Sequence, residues 1–177
     1  QALAAIDARA PGALPGVTRR ELVVRRPAPS LDGVGEYAFH HQLLHQVTYD
    51  TVLKRLRRDY HARAAAWLAA LTGARANDYL GVAADHFEKA GDTRRASEFF
   101  ARAAEHAAAR YAHGAVRAYV ERALALIGDE TEADLLRLRW RLLATRERAF
   151  DLQGLRAAHE ADIAAMEPVI SKDTIKA

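Results

Sequence analysis

The stretch that decides the fold is NDYLGVAADHFEKAGDTRRASEFFARAAEHAAAR, residues 77–110. Its apolar residues recur at steps of three and four, which predicts two amphipathic helices. Between them, Gly91 is typical of a helix C-terminal cap and Asp92 of an N-terminal cap, so we expect the chain to reverse direction there. The residues predicted to pack the two helices together around this turn are Ala84, Phe87, Gly91, Ala96, Phe100 and Ala103.

The length and residue order of this stretch resemble the tetratricopeptide repeat, a helical hairpin of about 34 residues. Small residues such as Ala84 let paired helices approach closely, and aromatic residues such as Phe87 fill the gaps. A second, degenerate copy is indicated by Val116, Val120 and Ala123. The resemblance implies a stack of helix pairs with a curved groove, whose usual role is to bind a peptide, a partner domain or a second copy of the chain.

The helical period continues on both sides of this repeat. Towards the N-terminus, one unbroken apolar stripe runs from Tyr49 to Leu71, and towards the C-terminus helices are predicted up to about Met166. Alanine, the best helix former, occurs 40 times in 177 residues. The predicted fold class is therefore mainly α, with antiparallel helix pairs forming a tetratricopeptide-like α-solenoid.

The first 40 residues follow a different pattern. Residues 21–25 and 36–40 are short extended candidates on either side of a turn-rich loop, which predicts one N-terminal β-hairpin. Before it, Leu3 and Ile6 suggest a short helix that Pro11 and Gly12 end. A lone hairpin is marginal in water, so we expect it to pack against helices.

A longer resemblance covers roughly residues 17–127. The segments EYAFHHQLLHQVTY (36–49), RRDYH (57–61), LGVAADHFEKAGD (80–92) and ERALAL (121–126) are similar to a junction in large bacterial signal-transduction ATPases of the AAA or STAND type. In that family a winged-helix-like domain follows the ATPase and leads into tetratricopeptide-like helices. Many members also carry a class III adenylate or guanylate cyclase domain, and others are transcription regulators.

The resemblance implies a division into three parts. Residues 1–46 would be the C-terminal part of a winged-helix-like domain with the hairpin, residues 47–166 the helical repeat region, and residues 167–177 a frayed tail. The family's ATP-binding and cyclase motifs match nothing in this sequence, so no catalytic residue is carried over.

Composition and motifs exclude several classes of function. The chain has no cysteine, which excludes thiol nucleophiles, iron–sulfur sites and disulfide frameworks and fits a cytoplasmic protein. No apolar run approaches the ~20 residues of a membrane-spanning helix. The glycines of residues 33–35 do not form a phosphate-binding loop, and Ser30, Ser97 and Ser171 lie in no nucleophile-elbow motif. We therefore expect no enzyme activity and no cofactor in this chain.

The histidines offer the one metal-like spacing. His41 and His45 lie one helical turn apart, but no third ligand is within sequence range. Packing against the hairpin is the favoured alternative. His61 and His86 are likewise expected to pack at the edge of the core, beside aromatic residues. No metal site is predicted.

The densest basic run contains Lys54, Arg55, Arg57 and Arg58. One interpretation is a phosphate-contacting patch beside the winged-helix part. The favoured alternative is a solvated outer face, partly neutralised by the helical pairs Asp50–Lys54 and Asp59–Arg63. A net charge of +3 is weak support for a nucleic-acid partner, and no recognition helix is evident in the sequence.

These features favour a non-catalytic interaction or regulatory segment of a larger bacterial signalling protein. The chain begins with Gln rather than Met, which suggests an excerpt of that protein. The expected partner is a protein or peptide, the parent's own ATPase or cyclase domain, or a second copy, with no membrane involved. The alternative is a DNA-binding module that uses the hairpin wing and the basic run.

Overall fold

The structure, a computed structural model, describes residues 2–29, 35–72, 76–129, 131–151 and 164. In this part of the chain the fold is mainly α, with antiparallel helix pairs in a solenoid-like stack and one two-stranded hairpin, which confirms the predicted fold class. The elements are α1 (Ala2–Ile6), α2 (Ala10–Arg19), β1 (Val23–Arg25), β2 (Tyr37–Phe39), α3 (Gln42–Thr51), α4 (Lys54–Ala69), α5 (Leu80–Ala90), α6 (Thr93–Ala109), α7 (His113–Ile127) and α8 (Ala133–Asp151). A 3₁₀ turn, Ala76–Tyr79, precedes α5.

The turn between α5 and α6 forms as predicted. Gly91 has a φ of 87°, in the left-handed region that glycine adopts without a steric penalty. The backbone N–H of Asp92 donates to the carbonyl of Phe87 at 3.0 Å, which satisfies one of the last helical carbonyls. The Asp92 side chain then caps α6 by accepting from the N–H of Arg95 at 3.0 Å. Local side-chain chemistry therefore fixes the reversal of the chain.

The core is formed by the five consecutive helices from α4 to α8. Each of these helices packs on the next, and α8 also reaches α6. Of the 21 buried hydrophobic residues in the described chain, 11 are alanine. The alanine excess thus places small side chains where helices cross, and Phe100, Leu142, Val116 and Val120 supply the largest fully buried apolar side chains. By contrast, none of the described residues from 2 to 51 is buried.

The predicted hairpin is present. Strand β1 pairs antiparallel with β2, with Val23 opposite Phe39 and Arg25 opposite Tyr37. The backbone N–H of His40 continues the pairing by donating to the carbonyl of Leu22 at 3.0 Å. Helix α2 packs on β1, so the hairpin has the helical support that a two-stranded sheet needs.

The prediction that Pro11 and Gly12 end the first helix is wrong. Helix α1 already ends at Ile6, and Pro11 lies in the first turn of a second helix, α2. The first N–H groups of a helix have no intrahelical acceptor, so proline loses nothing at that position. The same residue therefore begins a helix instead of ending one.

The prediction of one unbroken stripe from Tyr49 to Leu71 is also wrong. Helix α3 ends at Thr51 and α4 begins at Lys54, with Val52 and Leu53 at extended ψ angles of 129° and 136°. The Thr51 hydroxyl donates to the carbonyl of Thr48 at 2.7 Å at this helix end. As a result Leu53 is 76% exposed instead of lying on a buried face.

The division at residues 46 and 47 falls inside α3, and it stays a prediction. The predicted last helix and the tail from residue 167 lie outside the described residues, apart from Ala164, which is helical.

Candidate functional site

Five of the six residues predicted to pack the repeat lie in the interior, and the sixth, Gly91, lies in the exposed turn between α5 and α6. The side chains of Ala84, Phe87, Ala96, Phe100 and Ala103 are at most 4% exposed. The Phe87 ring lies 5.1 Å from that of Phe99, and the Phe100 ring 6.0 Å from that of Tyr119 on the next helix. These residues hold α5, α6 and α7 together, so any ligand must bind to side chains around them.

One arginine ties these three helices together on the outside. Arg122 of α7 forms ion pairs with Asp85 and Glu88, both on α5. Its guanidinium carbon also lies 4.4 Å from the ring centroid of Phe100 on α6, in cation–π geometry. Helices α5 and α7, which both pack on α6, are therefore also joined to each other by side-chain contacts.

A glycine lets a tyrosine of α7 lie against α5 at the other end. A Cβ atom added to Gly81 would lie 2.5 Å from the hydroxyl oxygen of Tyr119 and 2.8 Å from its Cζ atom. Carbon and oxygen atoms cannot approach so closely without displacement, so glycine is the residue that lets Tyr119 lie against α5. The Tyr119 side chain thereby forms one wall of a cavity.

This cavity, of about 280 Å³, lies where the start of α5, the end of α6 and the first half of α7 meet. Its lining consists of Asn77, Asp78, Gly81, Ala103, His106, Ala107, Arg110, Ala112, Ala115 and Tyr119. Half of these ten lining residues are alanine or glycine. At the rim, Asp78 Oδ1 lies 2.9 Å from Nη1 of Arg110 and 3.2 Å from Nε2 of His106. We call this the α5–α7 cavity.

Sequence reasoning named Ala103 for packing and missed the polar rim. His106 and Arg110 are four residues apart and so share one face of α6, which was an available signal. Their partner Asp78 precedes them by 28 and 32 residues, and only the folding of α5 onto α6 brings it to them.

The structure also joins three side chains that the sequence had left separate. The hydroxyl oxygen of Tyr49 on α3 lies 2.9 Å from Nε2 of His61 on α4. The Nδ1 atom of His61 lies 2.8 Å from Nδ1 of His86 on α5. Both imidazoles are half-buried. We call this arrangement the tyrosine–histidine chain; it links three successive helices.

The surroundings favour the neutral form of both imidazoles. Burial lowers the pKa of His61, and so do the nearby His86, Lys89 and Arg57. Burial and Lys89 lower the pKa of His86, while Asp85 opposes the shift. Positive charge on the pair is therefore disfavoured in the folded chain.

The two histidines with metal-like spacing, His41 and His45, pack beside the hairpin. The ring of His41 stacks on His40 at 4.5 Å, and the ring of His45 lies 5.1 Å from Phe39 of β2. This is the packing that the sequence favoured over a metal site. Within the described ranges, no three acidic or histidine side chains come together to hold a metal ion.

The basic run divides into two kinds of residue. Lys54, Arg55 and Arg58 are exposed, and in the part of the chain that the structure describes none of them pairs with a carboxylate. Arg57 is 22% exposed, pairs with Asp50 at 3.6 Å and lies over the Tyr49 ring at 4.9 Å.

One of the two predicted helical ion pairs forms and the other does not. Asp59 and Arg63 pair at 2.7 Å, as expected for positions four apart on α4. The prediction of Asp50–Lys54 is wrong, because the break at residues 52 and 53 separates these two residues into different helices and brings Asp50 to Arg57.

The comparisons with known proteins give one match. No family model matches the chain, and no solved structure matches it significantly. An uncharacterized protein of Rhizobium meliloti (strain 1021) is 32% identical over 98 residues, which cover 55% of this chain and 10% of that protein. The match therefore spans about a tenth of the length of the curated relative. Among the described helices, none has the length and apolarity needed to cross a bilayer.

Proposed function

We propose that this chain is a non-catalytic protein-interaction segment, and that the α5–α7 cavity holds a side chain of a partner polypeptide. The observation that carries the proposal is the cavity of about 280 Å³, with alanine and glycine walls and an ion-paired rim. Small-molecule sites usually measure about 300–1,000 Å³ and enclose most of their ligand. A cavity just below this range suits one anchoring side chain better than a free cofactor.

The lining suits such an anchor chemically. Ala103, Ala107 and Ala115 present methyl groups, against which an apolar partner side chain would lose water. At the rim, Asn77 and the hydroxyl of Tyr119 offer hydrogen bonds to a partner backbone. Because Asp78 is already paired with Arg110, the rim is ordered before a partner binds, which reduces the entropy cost of binding.

The wider role we propose is regulation within a larger cytoplasmic signalling protein of bacteria. The resemblance of residues 17–127 to the junction of signal-transduction ATPases supports it, and the relative in Rhizobium meliloti is much longer than the matched stretch. In this role the partner would be a separate protein, a second copy, or an ATPase or cyclase domain of the parent.

The test uses peptides selected from a phage-displayed random library against the 177-residue chain, with affinities measured by calorimetry. Ala115→Leu fills the cavity from α7 and should weaken a selected peptide by at least about tenfold, since burying one apolar side chain contributes roughly 1.5–3 kcal/mol. The matched control is Ala118→Leu, on the same helix but exposed and outside the cavity lining. It should leave the affinity unchanged. Equal affinities for the two variants, or no selectable peptide, would contradict the proposal.

A second candidate function, duplex DNA binding, is favoured by helix α2. The sequence predicted one short helix before the hairpin, ended by Pro11 and Gly12, whereas the structure has a second helix, α2, that packs directly on β1. Exposed cations lie nearby in the chain, at Arg19, Arg20 and Arg25. A helix followed by a hairpin wing is the arrangement that the winged-helix resemblance implies.

The DNA candidate predicts a salt-dependent gel shift of duplex DNA by this chain. The triple variant Lys54→Ala, Arg55→Ala and Arg58→Ala should reduce the slope of log K against log salt by about three, if each cation contacts one phosphate. Arg63→Ala is the control, because Arg63 is on the same helix but is held by Asp59 and by the carbonyl of Ile6. Absence of any shift at low salt would exclude this function for the chain.

A further inference from the structure

The turn between α6 and α7 has the same backbone hydrogen bonds as the turn between α5 and α6. The N–H groups of Gly91 and Tyr111 each donate to the carbonyl three residues earlier, at 2.9 and 3.0 Å. Those of Asp92 and Ala112 each donate to the carbonyl five residues earlier, at 3.0 and 2.9 Å. Both pairs of bonds are typical of a helix that ends in a left-handed residue. Tyr111 therefore occupies the position that glycine has in the first turn.

This position is unfavourable for tyrosine. The φ of Tyr111 is 56°, in the left-handed region, where the Cβ atom of an L-residue comes too close to a backbone carbonyl oxygen. Glycine has no Cβ and adopts the same conformation without that penalty. Among the described residues, Glu21 is the other one that has a positive φ without being glycine. The folded chain thus carries a backbone strain at Tyr111 that glycine would remove.

The Tyr111 side chain contributes little to the packing of the fold. It is 73% exposed. Within the described part of the chain its ring contact is with His113, edge-on, at 6.5 Å between the centroids. That distance is near the upper end of the range of about 4.5–7 Å for aromatic pairs. Backbone strain that packing does not explain is commonly found at functional sites.

The strained residue lies at the edge of the α5–α7 cavity. Its two neighbours in the chain, Arg110 and Ala112, both line that cavity, and consecutive Cα atoms are about 3.8 Å apart. Tyr111 itself is not part of the lining. A ligand enclosed by the cavity would not need the Tyr111 side chain, whereas a polypeptide extends beyond its anchoring residue and can cover it. An exposed aromatic ring beside the cavity therefore favours a polypeptide as the ligand.

The charges next to Tyr111 restrict what could pack on its ring. The guanidinium of Arg110, whose side chain is 64% exposed, pairs with Asp78 at the cavity rim. This positive group beside Tyr111 disfavours a cationic partner side chain at the same place. The ring offers apolar area, and tyrosine is enriched among the residues that dominate binding at protein interfaces. The side chain that best complements Tyr111 is therefore apolar.

We propose that Tyr111 is a partner-contact residue, whose ring packs on a second apolar side chain of the polypeptide that is anchored in the α5–α7 cavity. The inference rests on the proposed function of that cavity. The observation that carries it is an exposed tyrosine in the left-handed conformation, at a turn position that glycine fills one helix earlier, between two residues that line the cavity. The partner is then an extended polypeptide with two apolar side chains, one for the cavity and one for Tyr111.

The experiment uses the full 177-residue chain and library-selected peptides whose affinity Ala115→Leu weakens, so that each peptide is known to use the cavity. Tyr111→Gly should weaken these peptides by at least about tenfold in calorimetry. The same variant should keep the wild-type melting temperature or raise it by a few degrees, because glycine removes the strain. Loss of affinity without loss of stability is the result that a merely structural role of Tyr111 would not give.

Two controls make the test specific. Glu21→Gly removes the same kind of strain, at a φ of 56°, from an exposed residue outside the cavity lining. It should leave the affinity unchanged. An alanine scan of the peptide, measured against wild type and Tyr111→Gly, should find one apolar position whose effect is lost in the variant, which identifies the side chain that contacts Tyr111.

The outcomes distinguish this inference from the proposed function of the cavity. Wild-type affinity in Tyr111→Gly would overturn the contact role of Tyr111, while the weakening by Ala115→Leu would still support the cavity as the anchor site. A fall in the melting temperature of Tyr111→Gly by more than a few degrees, or a coupled peptide position that is charged, would also overturn it. If Ala115→Leu weakens no selected peptide, the proposed function and this inference fail together.

Discussion

Replacing Phe100 by alanine should lower the free energy of unfolding by about 3–5 kcal/mol, the usual loss for a buried phenylalanine. Phe100 is 0% exposed, its ring lies 6.0 Å from that of Tyr119, and the guanidinium carbon of Arg122 lies 4.4 Å from its centroid. Burial of the ring contributes roughly 1.5–3 kcal/mol, the aromatic pair about 0.5–1.5 and the cation–π contact about 0.5–1. These contributions together agree with the expected total.

The measurement is urea unfolding followed by far-UV circular dichroism, with an unchanged m value as the sign that the two end states are the same. For a chain of this length the melting temperature should fall by roughly 6–20 °C. Phe99→Ala is the matched control, because Phe99 is the adjacent aromatic residue on α6 but is only half-buried. Phe99→Ala should lower the free energy of unfolding by about half as much as Phe100→Ala, in proportion to the apolar area that each ring buries.

The reasoning fails if Phe100→Ala costs less than about 1.5 kcal/mol, or no more than Phe99→Ala, at an unchanged m value. Either result would mean that the contact between α6 and α7 is not the centre of the core, and that the burial of Phe100 has little effect on the stability of the stack.

Three further predictions concern the caps and the histidines. Gly91→Ala should lower the free energy of unfolding by roughly 1–2 kcal/mol, because the φ of Gly91 is 87°. Gly114→Ala, where a Cβ would meet open space, should raise it by up to about 1 kcal/mol. Denaturant unfolding measures both changes, and two changes of the same sign would contradict the backbone argument. Asp92→Ala should lower the free energy of unfolding by about 1 kcal/mol, and Asp92→Asn by much less, since the asparagine side chain also accepts a hydrogen bond from the backbone N–H of Arg95. A similar loss of stability in both variants would argue against the cap. The pKa values of His61 and His86 are lowered from 6.5 in the folded chain, so below that pH the unfolded chain binds more protons than the folded one. The free energy of unfolding should therefore be highest above about pH 6.5 and fall as the pH drops below it. A thermal melt series across pH measures this, and a stability that rises towards pH 5 would have the wrong sign.

The features that could be predicted from the sequence are those fixed by neighbouring residues. The reversal at Gly91 and Asp92 follows from one residue that tolerates positive φ and one that caps the next helix. The small and aromatic residues of α5 and α6 are spaced so that each helix has one packing face. The hairpin likewise follows from two short extended segments around a turn-rich loop.

The errors arose where local signals are ambiguous. Pro11 followed by Gly12 predicts the end of a helix, although proline is equally suited to a first turn. The break at Val52 and Leu53 has neither glycine nor proline, and the apolar spacing continues across it without interruption. Leu53 therefore fits a buried stripe in the sequence and lies in solvent in the structure.

The candidate sites lay beyond sequence reasoning for a different reason. His61 and His86 are 25 residues apart, and Asp78 and Arg110 are 32 residues apart. Each pair meets because two helices stack at one particular height and rotation. No local pattern contains that information, so the residues could be named individually but not brought together.

The two connections between α5 and α7 differ in kind, so they should respond differently to salt. Near the start of α5 the helices meet by direct contact of Gly81 with Tyr119, which salt does not change. Further along, they are joined by the ion pairs of Arg122, whose side chain is 44% exposed. Exposed pairs weaken as ionic strength rises, with a Debye length of about 8 Å at physiological salt. Rising salt should therefore loosen the contact at Arg122 while the contact at Gly81 stays in place, so that the angle between the two helices changes more than their distance at the α5–α7 cavity.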